Sequence, residues 1–305
     1  MAIELETKAP FAAPVVDRLS VRVVVDSVYD RFIWDSTHPV VKIEHTREIP
    51  GRNRSTLAGE WGLSLHLQSE KAGAKAQYLL DFGYTPEVLN RNVDLLGIDT
   101  ARLDGLILSH GHRDHYGGLE GFVAQHRGDM RDGITLYTGG EGNFGERWQP
   151  RKGGEPESWG TLDRAALEAQ RVSIVCCDSA CALHGPFTTG QVPRVSFERV
   201  LPNTLVRPPV EKYEHFSEKE RQGKLVPDEH PDEHGTCYIV QGRGLVVIAS
   251  CGHCGLINTV KAAMAVSNVS KLHAVVGGFH LGRAPQDYID HTIAELKALN
   301  PDVVI

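Results

Sequence analysis

The chain has 305 residues, of which 41% are hydrophobic and 23% are charged, and its formal net charge is −7. This is the composition of a globular protein that can bury a sizeable core, and it excludes a disordered or fibrous chain. The acidic balance argues against a nucleic-acid-binding or acidic-membrane-binding surface, and six cysteines are too few for a disulfide scaffold in a chain of this length.

The first half of the chain predicts strands alternating with short helices. A β-branched run from Leu19 predicts a strand, and GLSLHLQSE and AQYLLDFG predict a strand pair joined by the turn-like EKAGAK. TPEVLNRNVDLLGID and LEGFVAQHR predict helices, and LDGLILS and ITLYTG predict buried strands.

The second half repeats this alternation. TCYIVQ and LVVIAS flank a Gly-Arg-Gly turn and predict a hairpin, INTVKAAMAV predicts a helix, and LHAVVGG predicts a strand. The segment DYIDHTIAELKALN predicts a helix that ends at Asn300-Pro301, before a last strand DVVI. The apolar residues on one face of this helix are Ile289, Ile293, Leu296 and Leu299.

These elements favour an α/β fold in which two sheets pack face to face and helices cover both outer faces, a four-layer αββα sandwich. No linker separates the two halves, so we expect one domain over residues 1–305. Stretches near 139–160 and 201–233 are rich in Gly, Pro or charged residues and are expected to be irregular loop insertions.

We expect neither a secretory signal nor a membrane-spanning helix. No apolar run reaches the roughly 18 to 20 residues of a membrane helix, and the first residues, with Glu4 and Glu6, do not resemble a secretory signal. We therefore expect a cytoplasmic protein that acts on a small molecule, with no nucleic-acid or membrane partner. The sequence does not specify an oligomeric state.

The strongest chemical signal is SHGHRDHYGGL, directly after a predicted buried strand. Alternate side chains of an extended chain point to one side, so His110 and His112 can reach the same cation. Asp114 and His115 follow in a tight loop and can turn towards a second position beside the first. Imidazole and carboxylate donors suit Zn²⁺, with Fe and Mn as alternatives, so the sequence predicts one or two metal ions here.

This stretch resembles the metal-binding signature of the metallo-β-lactamase superfamily, whose fold is the αββα sandwich. The segments GLSL, LLDFG, SHGHRDHYGGL, TTGQVPR, LVVIASCGHCGLINT and AVVGGFHL occur in this order, from about Val21 to Ile305. Together they are similar to the dihydropterin-ribofuranosylaminobenzene-phosphate synthase-like subgroup of metal-dependent hydrolases. The resemblance implies that His110 and His112 hold a first metal, and that Asp114 and His115 hold a second.

The resemblance also implies roles for residues elsewhere in the chain. His253, in SCGHCG, is expected to be a further ligand, and His280, in GGFHL, a ligand or a substrate contact. His234, just before the predicted hairpin, is another candidate ligand. Asp81, in LLDFG, is expected to orient the metal loop through hydrogen bonds.

The two cysteines of SCGHCG, Cys251 and Cys254, form a C-x-x-C around His253. This spacing also occurs in redox and zinc-thiolate sites. We expect them instead to be small buried residues that pack beside His253.

Two features depart from the family pattern. Trp61 stands where the subgroup typically has a histidine, so the chemistry or specificity of the pocket is expected to differ. The superfamily places a last histidine just after the final strand, about where this chain reaches Ile305. Either the chain is cut short there or the second metal has one ligand fewer.

A cation held by neutral imidazoles and one carboxylate lowers the pKa of bound water from about 15.7 to roughly 7, which makes hydroxide available at neutral pH. We therefore expect a metal-dependent hydrolase that uses a metal-bound hydroxide on an ester, lactone or phosphoester-type small molecule. Asp114 is the expected catalytic residue, because it can orient the nucleophile and carry its proton. Two alternatives stay open: a transferase that displaces pyrophosphate from a pterin-type substrate, and a non-catalytic ligand-binding protein on a degraded metal site.

Overall fold

The computed structural model describes residues 11–30, 32–207 and 224–305. Residues 208–223, within the second predicted insertion, therefore lie outside the described part of the chain. The α-helices of the described residues are α1 (Pro86–Leu95), α2 (Arg113–Tyr116), α3 (Leu119–His126), α4 (Arg164–Ala169), α5 (Leu256–Ser267) and α6 (Gln286–Leu299). None of them is long and apolar enough to cross a membrane.

The strands follow most of the predicted apolar runs. In chain order they are β1 (Val15–Val16), β2 (Arg18–Val25), β3 (Ser64–Lys71), β4 (Ala74–Leu80), β5 (Gly105–Leu108), β6 (Thr135–Thr138), β7 (Arg147–Gln149), β8 (Glu157–Gly160), β9 (Ser173–Cys176), β10 (Ser179–Ala182), β11 (Phe187–Gly190), β12 (Leu205–Val206), β13 (Val226–Pro227), β14 (Thr236–Val240), β15 (Gly244–Ala249), β16 (Leu272–Gly277) and β17 (Val303–Val304).

The first large sheet has six strands in the order β2-β3-β4-β5-β6-β9. Strands β2, β3 and β4 are antiparallel, whereas β4, β5, β6 and β9 run parallel. The hairpin between β3 and β4 turns at Ala72 and Gly73, whose φ angles of 49° and 83° match the right-handed twist of the strands. The loops that begin at Asp81 and Ser109 extend from the same edge of the sheet, because these residues follow the carboxyl ends of the parallel strands β4 and β5.

The second large sheet has seven strands, in the order β10-β11-β14-β15-β16-β17 with β1 also paired to β14. Strands β14 and β15 form the predicted antiparallel hairpin, and β15, β16 and β17 run parallel. Cys251 and His280 follow the carboxyl ends of β15 and β16, so the loops that carry them leave one edge of this sheet.

Three apolar layers hold these elements together. Tyr78, Ile107 and Ile248 belong to the layer between the two sheets. A second layer packs the outer face of the first sheet against helices α1, α3 and α4, and a third packs the outer face of the second sheet against α5 and α6. The arrangement is helix, sheet, sheet, helix, and the predicted α/β sandwich is confirmed.

The predicted irregular insertions differ from the structure in one respect. Residues from both stretches form a third, four-stranded sheet in the order β13-β12-β7-β8. Its strands are short. Arg147 in β7 is buried, and its charge is compensated by the buried carboxylate of Asp228, whose Oδ2 lies 2.9 Å from Nε of Arg147. Because Asp228 is 81 positions away in the sequence, the residues around Arg147 do not indicate that this charged side chain lies in a buried strand.

Helix α6 also differs in detail from its predicted apolar face. Leu296 and Leu299 pack against the core as expected, but Ile293 is 44% exposed. Tyr288 and Thr292 are buried instead. Tyr288 packs beside Phe197, with the ring centroids 5.2 Å apart, a contact that hydrophobic spacing does not reveal.

Candidate metal centre

The central loop of the candidate site continues from β5, whose four residues are all buried. It carries His110, His112, Asp114 and His115, which are buried as well. A side chain at Gly111 would place its Cβ 2.5 Å from the carbonyl oxygen of Asn143, so only glycine fits between the two histidines. The loop thus packs tightly against the segment that contains Asn143.

In the described part of the chain, six imidazole rings meet at this edge of the sandwich. The closest pair is His230 and His253, whose ring centroids are 4.0 Å apart, followed by His253 and His280 at 4.2 Å. Other neighbouring centroids are separated by 4.3 Å to 4.8 Å. The six residues are His110, His112, His115, His230, His253 and His280.

Among the residues that the structure describes, two groups of potential donor atoms converge closely enough to hold a cation. In each group the donor atoms lie within 4.8 Å of one another. One group is His112, His230 and His253, and the other is His110, Cys251 and His253.

Several buried polar atoms at this centre have no hydrogen-bond partner in the described part of the chain. They are Nε2 of His110, Nε2 of His253, Nδ1 of His230 and Oδ1 of Asp114. Such atoms are costly unless something else satisfies them. Burial lowers the pKa of His110, His112 and His253 well below the usual value, and neighbouring imidazoles lower it further. These rings are therefore neutral, the form that binds metal, and the donor set fits a cation such as Zn²⁺.

Asp81 controls the orientation of the central loop. It is fully buried, with a left-handed φ of 58°. Its Oδ1 accepts a hydrogen bond from the Ser109 amide at 2.8 Å, and its Oδ2 accepts from the Ser109 hydroxyl at 2.8 Å and from Nδ1 of His115 at 2.7 Å. The Ser109 hydroxyl in turn accepts from Nδ1 of His110 at 2.9 Å. One carboxylate thus leaves Nε2 of both rings available to a cation.

The charge on His115 differs from that on the other rings. Burial alone would lower its pKa, but the carboxylates of Asp81 and Asp114 raise it well above the usual value. Nε2 of His115 lies 3.6 Å from Oδ2 of Asp114. Asp114 and His115 therefore form an ion pair, and His115 would have to lose a proton before it could bind the predicted second metal ion.

A second buried carboxylate, Glu233, holds the loop that carries His253. It accepts hydrogen bonds from the backbone amides of Gly252 at 3.0 Å, His253 at 3.1 Å and Cys254 at 2.5 Å. Because the backbone is fixed at three successive residues, the His253 ring has a defined direction.

His230 is a member of the cluster that sequence reasoning missed. It is buried with a left-handed φ of 46°, and its amide donates to Oδ1 of Asp228 at 2.9 Å. The side-chain amide of Asn203 lies 3.1 Å from Nε2 of His230 and 2.9 Å from Nδ1 of His253, which links the two rings. The only sequence signal was a histidine in the acidic segment DEHPDEH, which predicted a loop.

The remaining predicted histidines lie in different surroundings. His280 is partly buried and lies over His253, with its Nδ1 3.4 Å from Sγ of Cys251. Nε2 of His234 donates to the carbonyl oxygen of Leu108 at 3.0 Å, and neither converging donor group in the described residues includes His234. Its side chain faces the end of β5 rather than the cluster.

A cavity of about 640 Å³ opens onto the cluster, which is the size of a small-molecule site. Asp114, His253 and His280 contribute to its lining, and so do Trp61 and Trp159. The two indole rings lie 6.0 Å apart, and Trp61 is 63% exposed although it is large and apolar. The position where the subgroup typically has histidine is therefore part of an aromatic wall.

Comparisons with known proteins agree with the expected resemblance. No family model matches the sequence. The chain is 29% identical over 268 residues to 7,8-dihydropterin-6-methyl-4-(beta-D-ribofuranosyl)-aminobenzene-5'-phosphate synthase of Methanocaldococcus jannaschii, covering 85% of this chain and 84% of that enzyme. It superposes with a TM-score of 0.66 on a solved metal-dependent hydrolase of the β-lactamase superfamily, at 19% identity, covering 94% of this chain and 86% of that one. The chain thus has the fold of the metallo-β-lactamase superfamily, and its sequence resembles that of the dihydropterin-ribofuranosylaminobenzene-phosphate synthase.

Proposed function

We propose that this chain is a metal-dependent hydrolase that acts on a small ester, lactone or phosphoester. The observation that carries the proposal is the set of buried imidazole and carboxylate atoms without partners at the floor of a cavity of about 640 Å³. Such a set has a large desolvation cost that a bound cation removes.

Zinc is the metal we propose, because it accepts nitrogen, oxygen and sulfur donors together. His110, His112 and His253 would hold it, and Asp114 with His115 would bind a second ion beside it. When bound, such a cation supplies a Lewis acid and an ionised water at neutral pH.

Asp114 has the position of a proton carrier. Its Oδ1 is buried without a partner in the described residues, and its Oδ2 lies 3.6 Å from Nε2 of His115. One oxygen could therefore hold the second ion beside His115, while the other accepts a proton from the attacking group and passes it to the leaving group.

The aromatic wall supports a substrate with a flat, apolar part. Trp61 and Trp159 present their rings to the cavity, and Arg283 contributes a positive charge to the same lining. Indole rings bind planar groups by stacking, and a guanidinium pairs with carboxylate or phosphate. A small molecule with an aromatic ring and an anionic group matches both features.

The test is a comparison of zinc-loaded protein with two alanine variants. His112→Ala should lose most of its bound zinc by elemental analysis, and should lose hydrolysis of phosphodiester or aryl-lactone substrates. His184→Ala is the matched control, because His184 is exposed and belongs to neither converging donor group of the described residues, and it should behave as the parent. Equal zinc content in the parent and His112→Ala would overturn the ligand assignment.

A transferase is the second candidate, and the similarity to the synthase favours it. The same residues could then bind a pyrophosphate leaving group, with an arylamine or a carbon atom as nucleophile in place of water. Pyrophosphate release from a pterin pyrophosphate that requires an added aminobenzene acceptor would support transfer. Release that is independent of the acceptor would support hydrolysis.

A further inference from the structure

We propose that Cys251 is a metal ligand of this centre, so that the cation held by the imidazoles of His110 and His253 also has a sulfur donor. The inference rests on the proposed metal dependence. It replaces the sequence-based expectation that Cys251 only packs beside His253.

The first support is the position of the thiol. Cys251 follows the carboxyl end of β15, and its Sγ lies within 4.8 Å of a ring nitrogen of His110 and of His253. In a tetrahedral zinc site with bonds of about 2.0 to 2.3 Å, neighbouring ligand atoms are roughly 3.3 to 3.6 Å apart. Small side-chain rotations of the three residues therefore bring them into a first coordination shell.

The second support is the direction of the two imidazoles. Nδ1 of His110 donates to the Ser109 hydroxyl at 2.9 Å, and Nδ1 of His253 lies 2.9 Å from the Asn203 amide. The opposite nitrogen of each ring, Nε2, is buried without a partner in the described residues. The His110 ring thus has its Nδ1 proton held by Ser109 and its Nε2 available to a cation, as in metal sites with supported ligands. His253 would offer Nε2 in the same way if the Asn203 amide turned over, so that Nδ1 donates to its oxygen.

The third support is the contrast between the two cysteines of the loop. Cys254 is buried and its thiol donates to the carbonyl oxygen of His230 at 3.1 Å, so it has a structural partner. Cys251 is only partly buried and lines the cavity, where its thiol contacts the imidazoles of His115 and, at 3.4 Å from Nδ1, of His280. The C-x-x-C spacing therefore contains one packing cysteine and one that faces the cluster.

A bound cation would favour a thiolate at this position. His110 and His253 are neutral donors, so a divalent ion held by them alone would remain an uncompensated buried charge. A thiolate at Cys251 would neutralise part of that charge, and its soft sulfur would favour zinc over magnesium, calcium or manganese.

The test is the absorption spectrum of full-length protein loaded with cobalt(II), for the parent, Cys251→Ser and Cys254→Ser. A thiolate bound to cobalt gives an intense near-ultraviolet charge-transfer band. We expect that band in the parent and in Cys254→Ser and its loss in Cys251→Ser. We also expect zinc affinity in Cys251→Ser to fall by more than the roughly 10- to 100-fold that is typical of changes outside the ligand shell.

The outcomes separate this inference from the proposed function. Parent protein that binds cobalt through histidines but lacks the band would overturn the role of Cys251 and leave the metal centre intact. Parent protein that binds no metal would overturn both. If Cys251→Ser does not fold, alkylation of the parent mapped by mass spectrometry decides: zinc should protect Cys251 from iodoacetamide, and equal alkylation with and without zinc would contradict ligation.

Discussion

Replacing Asp81 with asparagine should weaken metal binding although the side chain keeps its size. Oδ2 of Asp81 accepts hydrogen bonds from the Ser109 hydroxyl and from Nδ1 of His115, and the Ser109 hydroxyl accepts one from Nδ1 of His110. An amide nitrogen at that position would donate instead. Nδ1 of His115 would then have to act as an acceptor, which moves its proton to Nε2, the nitrogen that faces the site.

The magnitude follows from these contacts. Changes to a carboxylate that orients metal-binding histidines typically cost about 10- to 100-fold in metal affinity, which is roughly 1.4 to 2.7 kcal/mol. If the amide rotates to present its oxygen, its nitrogen faces the amide of Ser109, and an unpaired buried donor costs about 1 to 3 kcal/mol of folding free energy. In either orientation Asp81→Asn loses affinity or stability.

The assay is zinc competition against a chromophoric chelator, with the free energy of unfolding measured by urea titration on the same preparations. Asp129→Asn is the control, because Asp129 is exposed and remote from the cluster. A folded Asp81→Asn variant with the zinc affinity and the urea midpoint of the parent would refute the orienting role of Asp81.

Three further predictions follow from other parts of the structure. Arg147→Met should destabilise the protein by about 3 to 5 kcal/mol in urea titration, because it leaves the buried carboxylate of Asp228 unpaired; an unchanged midpoint would contradict the buried ion pair. Trp61→Ala should raise KM for aromatic substrates more than for aliphatic ones with little change in kcat, since the exposed indole would bind the substrate and not the reacting atoms; equal effects on both classes would argue against the aromatic wall. Zinc at 100 times its Kd should stabilise the fold by about 2.7 kcal/mol, and a chelator should remove that gain in calorimetry; a Tm that is independent of zinc would count against a metal centre in the folded state.

The sequence determined the elements of the fold well where apolar spacing was strong. The buried strand β5 and the hairpin of β14 and β15 were both predicted from local patterns. Their hydrophobic residues decide the outcome locally, since a period of two buries one face of a strand whatever the rest of the chain does. The third sheet escaped prediction because the burial of Arg147 depends on a distant carboxylate.

In the candidate site too, the residues of one short stretch were predicted from the sequence, whereas most of the distant ones were not. His110, His112, Asp114 and His115 stand within six positions on one loop, so a single short stretch is enough to indicate a metal. The donors from the second sheet have no such local signature, and resemblance alone singled out His253.

What the sequence by itself determined about this protein is thus a loop of imidazole and carboxylate side chains at the end of a buried strand. Only the tertiary structure decided which distant side chains meet that loop: it brings in His230 and Cys251, and turns His234 towards the carbonyl oxygen of Leu108. The physical reason is that a cation site is defined by the directions of atoms a few ångströms apart. Those directions depend on how two sheets pack and on which buried polar groups hold each ring.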